Sequence, residues 1–111
     1  MVYKKAIRDK IPDIIKDSGY SCNIEKLSDT DFLKEMEKKL DEELAEYKEN
    51  GSVEELADMI EVIMRISELQ GCSMNDFEKI RRNKAKKRGT FKKIYFLLIR
   101  QRIDFFIRNF V

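Results

Sequence analysis

Histidine is absent from this chain, and only two of its 111 residues are cysteine. Cys22 and Cys72 lack C-x-x-C spacing, so the sequence argues against a zinc site and against a Cys–His nucleophile. Proline occurs once and glycine four times, and aromatics make up 10% of the residues against 40% charged, which favours a helix-rich globular protein over a disordered one. Long apolar runs are also missing. The opening residues MVYKKAIRDKIPD contain no apolar core of a signal peptide, and Ile94 to Ile99 is far too short to span a bilayer. The expectation is a reduced, cytoplasmic protein with no membrane partner.

Charge is abundant but unevenly placed. The net charge is +2, which by itself selects no partner. From Glu25 to Glu61 there are fourteen acids against five bases, whereas Lys79 to Lys93 holds nine bases and no acid. Such a division suits a site for a metal ion together with a polyanion, and it also suits plain solvated helices.

Punctuation along the chain predicts four helices. The first lies within AIRDKIPDIIKDSG, with Pro12 in its first turn and Gly19 as its stop. Tyr20 to Leu27 reads as a connector, partly extended. A long helix starts at Ser28 or Asp29 and ends at Asn50-Gly51. Ser52 caps a third, which runs to about Gln70, and Ser73 caps a fourth, ended by Gly89. FKKIYFLLI is open to either extended or helical structure. The expected fold is all-α, a helical bundle built on a central antiparallel hairpin and completed by oligomerisation, because 111 residues bury only a modest core.

The hairpin carries nearly the same acidic phrase twice, Glu43-Leu44-Ala45-Glu46 before the turn and Glu55-Leu56-Ala57-Asp58 after it. At about 100° per residue, Glu54, Glu61, Arg65 and Glu68 share one polar face of the third helix, an ordinary solvated surface with Glu61 and Arg65 at salt-bridge spacing. Leu56, Ala57, Ile60, Ile63 and Met64 form the opposite stripe. Glu55 instead lies beside Met59, Val62 and Ile66 in a second apolar arc, with Asp58 on its border. On the long helix, Leu33, Met36, Leu40, Leu44 and Tyr47 form the apolar stripe, while Lys38, Glu42 and Glu49 face away. Glu43 falls between Phe32 and Met36, with Glu46 at the edge.

Two readings of these acids compete. Glu55 stands three residues after Ser52 and can close a capping box. Alternatively the two pairs meet across the hairpin, where unpaired buried carboxylates would cost several kcal/mol and repel one another unless compensated. The matching anomaly on both helices favours the second reading. Oxygen ligands without His or Cys select a hard cation, Mg²⁺ before Ca²⁺ or Mn²⁺. Lys79 to Lys93 then offers a surface for phosphate, with Arg8 and Lys10 as a further clamp. Nucleic acid is the less favoured target, since no recognisable nucleic-acid-binding signature accompanies the run.

Glu42-Glu43-Leu44-Ala45-Glu46 followed by Glu55-Leu56-Ala57-Asp58 resembles the motif of the MazG-like all-α nucleoside triphosphate pyrophosphohydrolases. RDKIPDII and KAKKRGTF resemble a compact, phosphoribosyl-ATP pyrophosphohydrolase-like branch. The likeness covers roughly residues 3 to 98, taken as a domain spanning 1–98 with a tail, 99–111, that departs from the pattern. The loop between the acid pairs is short compared with many relatives.

The resemblance implies a Mg²⁺-dependent enzyme, with Mn²⁺ as a substitute, that cleaves a nucleoside triphosphate to monophosphate and pyrophosphate, often in house-cleaning of non-standard nucleotides. It implies metal ligation by Glu43, Glu46, Glu55 and Asp58, and phosphate contacts from Lys84, Lys87 and Arg88, with Arg8 and Lys10 near the substrate. Glu42 or a carboxylate of the cluster would activate water. A homodimer or homotetramer is the expected assembly. The competing functions are phosphoribosyl-ATP hydrolysis in histidine synthesis and a non-catalytic helical module binding nucleic acid or protein.

Overall fold

The computed structural model describes residues 4–98 and 108. Four α-helices follow one another, α1 (Ile11–Asp17), α2 (Asp29–Asn50), α3 (Val53–Leu69) and α4 (Met74–Arg88), and no strand occurs among the described residues. The chain divides into two compact units, Met1–Met74 and Asn75–Val111.

The first unit is organised by the α2–α3 hairpin. Ser28 caps α2, its Oγ accepting from the Asp31 N–H at 3.2 Å, which satisfies one of the donors a helix start leaves open. Gly51 ends α2 in the left-handed region, φ 66°, a conformation cheap only without a Cβ. Ser52 follows at once and accepts from the Glu54 N–H at 3.1 Å, starting α3. Two residues therefore reverse the chain, so α2 and α3 pack antiparallel. At the far end of α3, Ser67 is buried and its Oγ donates to the Cys72 carbonyl at 3.3 Å, while the Cys72 N–H returns to the Ser67 carbonyl at 3.0 Å. That exchange closes the turn around Gly71.

The seam takes in the arc of α3 that carries Glu55 together with Ile63 and Met64 of the opposite stripe, both half-buried. Val62 is buried, with Met59 and Ile66 half-buried beside it, whereas Leu56 and Ile60 are 40% and 55% exposed. The inward arc thus includes Glu55. On α2 the expected stripe holds better: Met36 is buried and Leu33, Leu40 and Tyr47 are half-buried, although Leu44 is exposed. Glu54, Glu61, Arg65 and Glu68 are exposed as expected, but Arg65 reaches Glu68, at 3.9 Å.

In the second unit, α4 begins immediately after Ser73 and stops at Gly89, φ 85°. Glu78 grips Arg81 and Arg82 along its surface, with Arg81 Nε and Arg82 Nε donating at 3.0 and 3.1 Å. Residues 91–98, left open between strand and helix, form neither. The tail expected at 99–111 lies outside the described residues except for Arg108. Among the described residues no helix is long and apolar enough to cross a membrane.

Candidate metal centre

The inward arc of α3 faces the inward arc of α2, and the misplaced acids meet there. One carboxylate oxygen each from Glu43, Glu55 and Asp58 lies within 4.8 Å of the other two. Glu43 is 6% exposed, Glu55 and Asp58 half-buried. Helix geometry accounts for the grouping: Glu55 and Asp58 are one turn apart on α3, and Glu43 projects from α2 across the short reversal.

Two carboxylate oxygens of this trio lack a hydrogen-bond partner within the protein. Glu43 Oε2 and Glu55 Oε2 are shielded from solvent without a hydrogen-bond partner. Burial raises the Glu43 carboxyl above its ordinary range; Glu46 and Asp58 add repulsion, and Lys39, 3.7 Å from Oε1, opposes them. The Glu55 carboxyl is likewise raised, by burial first and then by Glu46 and Asp58, with the Asn50 side chain pulling the other way. The Ser52 hydroxyl accepts from the Glu54 N–H and not from that of Glu55, as a capping box requires, and Glu55 Oε2 is left without a partner.

Glu46 is close enough to bear on both Glu43 and Glu55, but its side chain stands at the exposed edge and outside the trio. When ionised it is a further acceptor, and two acceptors cannot satisfy each other. Besides Lys39, a second cation arrives from before α1. Arg8 Nη2 donates to Asp58 Oδ1 at 2.6 Å, so a residue expected to touch substrate phosphate is here engaged with the acids. Glu42, a candidate for water activation, lies between Lys5 and Lys39, its Oε2 3.7 and 3.9 Å from their ammonium nitrogens. Glu42 is half-buried there.

Lys10 is exposed next to the start of α1. Lys84, Lys87 and Arg88 belong to the last turns of α4, in the second unit. The lysines that approach the cluster from its own unit, Lys5 and Lys39, were not singled out by sequence. Their signal was present only as spacing, because Lys39 precedes Glu42 and Glu43 by three and four residues on one helix.

This donor set fits a hard divalent cation. It consists of carboxylate oxygens alone, it gathers them from two rigid helices, and it leaves two buried lone-pair sites that no protein donor meets. Compared with protein families, curated proteins and solved structures, the chain matches none.

Proposed function

We propose that this protein is a Mg²⁺-dependent nucleotide pyrophosphohydrolase, cleaving a nucleoside triphosphate, in particular a non-standard one, to the monophosphate and pyrophosphate. The observation that carries this reading is the pair of orphaned, shielded oxygens of Glu43 and Glu55 within a three-carboxylate cluster. The resemblance of the Glu42–Glu46 and Glu55–Asp58 motifs to MazG-like enzymes points the same way.

Glu43, Glu55 and Asp58 would hold the ion, with Glu46 completing the set from the edge. A bound Mg²⁺ supplies Lewis acidity toward phosphate oxygens and favours ionisation of a nearby water. The remaining work falls to the chain. Water's oxygen bonds to a phosphorus flanking the α–β bridge, that anhydride bond breaks, and its electron pair leaves on the departing phosphate group. The water's proton passes to a carboxylate; Glu46, beside the cluster and open to solvent, is better placed for this than Glu42, which two lysines engage.

Oligomerisation belongs to the same reading. Val53, Leu56 and Ile60 share an exposed face of α3 at 78%, 40% and 55% exposure, which supports completion of the bundle by another copy as a dimer or tetramer.

Pyrophosphate release with Mg²⁺ across standard and modified nucleotides, with phosphoribosyl-ATP in the same panel, tests the proposal. Glu55→Ala and Asp58→Ala are expected to lower turnover more than about 100-fold while the protein stays folded, since loss of even an outer-shell group costs up to that much. Full activity in either variant removes the site assignment. Salt-dependent nucleic-acid binding with no hydrolysis of any nucleotide favours the non-catalytic module instead.

A further inference from the structure

A second charged feature lies next to the acid cluster in the same unit. A cleft of about 220 Å³ is lined by Lys4 and Lys5 from the N-terminal segment and by Glu35, Lys38, Lys39 and Glu42 from α2. Four ammonium groups thus face two carboxylates. Their ion pairs are long: Lys38 lies 3.3 Å from Glu35, and Lys5 and Lys39 lie 3.7 and 3.9 Å from the same Glu42 oxygen. Charge-assisted hydrogen bonds are ordinarily closer to about 2.8 Å, so these donors retain capacity for a stronger acceptor. Lys4 has no ion pair among the described residues.

Lys39 joins the cleft to the metal centre. Its ammonium is 3.9 Å from Glu42 on one side and 3.7 Å from Glu43 on the other, and its side chain is only 27% exposed. An anion seated among the lysines would therefore lie beside any ion held by Glu43, Glu55 and Asp58. Size limits what that anion is. Pockets that enclose a whole drug-sized ligand run to about 300–1,000 Å³, so this cleft suits a phosphate chain rather than a base and sugar. Its apolar surface is minor, with no aromatic side chain to stack a base.

We infer that the Lys4–Lys5 and Lys38–Lys39 cleft is a diphosphate-binding site, seating the terminal phosphates of the substrate and then the departing pyrophosphate. The part played in turnover rests on the pyrophosphohydrolase reading; anion binding by the cleft does not. Lys38 and Lys39 sit on a rigid helix, and Lys5 is held opposite them through Glu42, so the positive charge is placed before the anion arrives. Four ammonium groups spread along the cleft can meet the several oxygens of a diphosphate, more acceptors than a single phosphate offers. This assigns phosphate contact to residues of the hairpin unit, in place of the basic run of α4.

Calorimetric titration of the full chain with sodium pyrophosphate, in EDTA and without divalent cations, tests the site. Saturable one-site binding is expected, weakened at least tenfold in Lys5→Ala/Lys39→Ala and also in Lys4→Ala/Lys38→Ala. The second pair leaves the contacts of Glu42 and Glu43 intact, and circular dichroism verifies that each variant is folded. Lys84→Ala/Lys87→Ala is expected to bind as the unaltered protein does. Absence of saturable binding overturns the inference, as does binding that survives both cleft variants or disappears only with the α4 variant. Glu55→Gln separates this result from the catalytic one: pyrophosphate binding retained there, with no nucleotide hydrolysed by the unaltered protein, keeps the cleft and removes the enzyme.

Discussion

At the scale of single residues, Glu43 and Glu55 are held where their charge is poorly tolerated. Both carboxyls are raised from the ordinary 4.5, so the folded state binds protons that the unfolded chain has released. Their effect on stability is therefore most favourable below about 4.5, the unfolded value, and is lost as pH rises through the folded values. Melting temperatures in EDTA are expected to fall as pH rises across that window. Glu55→Gln, which removes a charge but keeps the shape, is expected to melt higher than the unaltered protein in EDTA and to lose the stabilisation that Mg²⁺ confers. A variant that melts lower in EDTA, or gains as much from Mg²⁺, would show that the charge at Glu55 is not under strain. Glu78 obeys the opposite sign: its hydrogen bonds from Arg81, and next from Arg82, lower it from 4.5 to about 2, so what it contributes is present above about 4.5 and is lost as pH falls from there through about 2.

At the scale of helices, capping and a single packed seam share the work. The Ser28 and Ser52 hydroxyls and the left-handed Gly51 define where α2 and α3 begin and turn. Those signals are local, which is why the helix boundaries are legible in sequence to within a residue or two. The seam between the helices is thin. Met36 and Val62, at 7% and 8% exposure, are the buried apolar residues among those described. Met36→Ala should consequently cost about 2 kcal/mol, the lower end of the 2–5 kcal/mol range for such truncations, because its neighbours are only half-buried and can close on the gap. Chemical denaturation with an unchanged m-value checks this. A loss near zero would mean that the hairpin is held by something other than this contact.

At the scale of the whole molecule, the hairpin unit leaves several large apolar side chains exposed on one helix face. Val53, Leu56 and Ile60 give α3 an outward face with the composition of an interior one. If another copy covers it, Ile60→Asp is expected to shift the protein to a monomer in sedimentation, with the acid cluster of the opposite arc still in place. A monomeric unaltered protein, or an assembly indifferent to this charge, argues that the face serves another purpose. The basic α4 and the acid-bearing hairpin occupy different compact units, so the charge division evident along the chain corresponds to a division of the fold.

Sequence alone determined four helices, their ends, and the suspicion attached to Glu43 and Glu55, because caps, glycines and a period of about 3.6 residues act over a few neighbours. It did not determine how the apolar residues of α3 would divide between the seam, which takes Ile63 and Met64, and solvent, which takes Leu56 and Ile60. Periodicity gives angles about a helix's own axis, whereas the choice of face depends on the partner helix and the two-residue reversal that aims it. Nor did it place Arg8 on Asp58, fifty positions away, or Glu42 between Lys5 and Lys39. Such pairs form between segments far apart in sequence, and distance in space decides them. The tertiary structure thus turned two acidic phrases into one cluster and set a lysine cleft beside it.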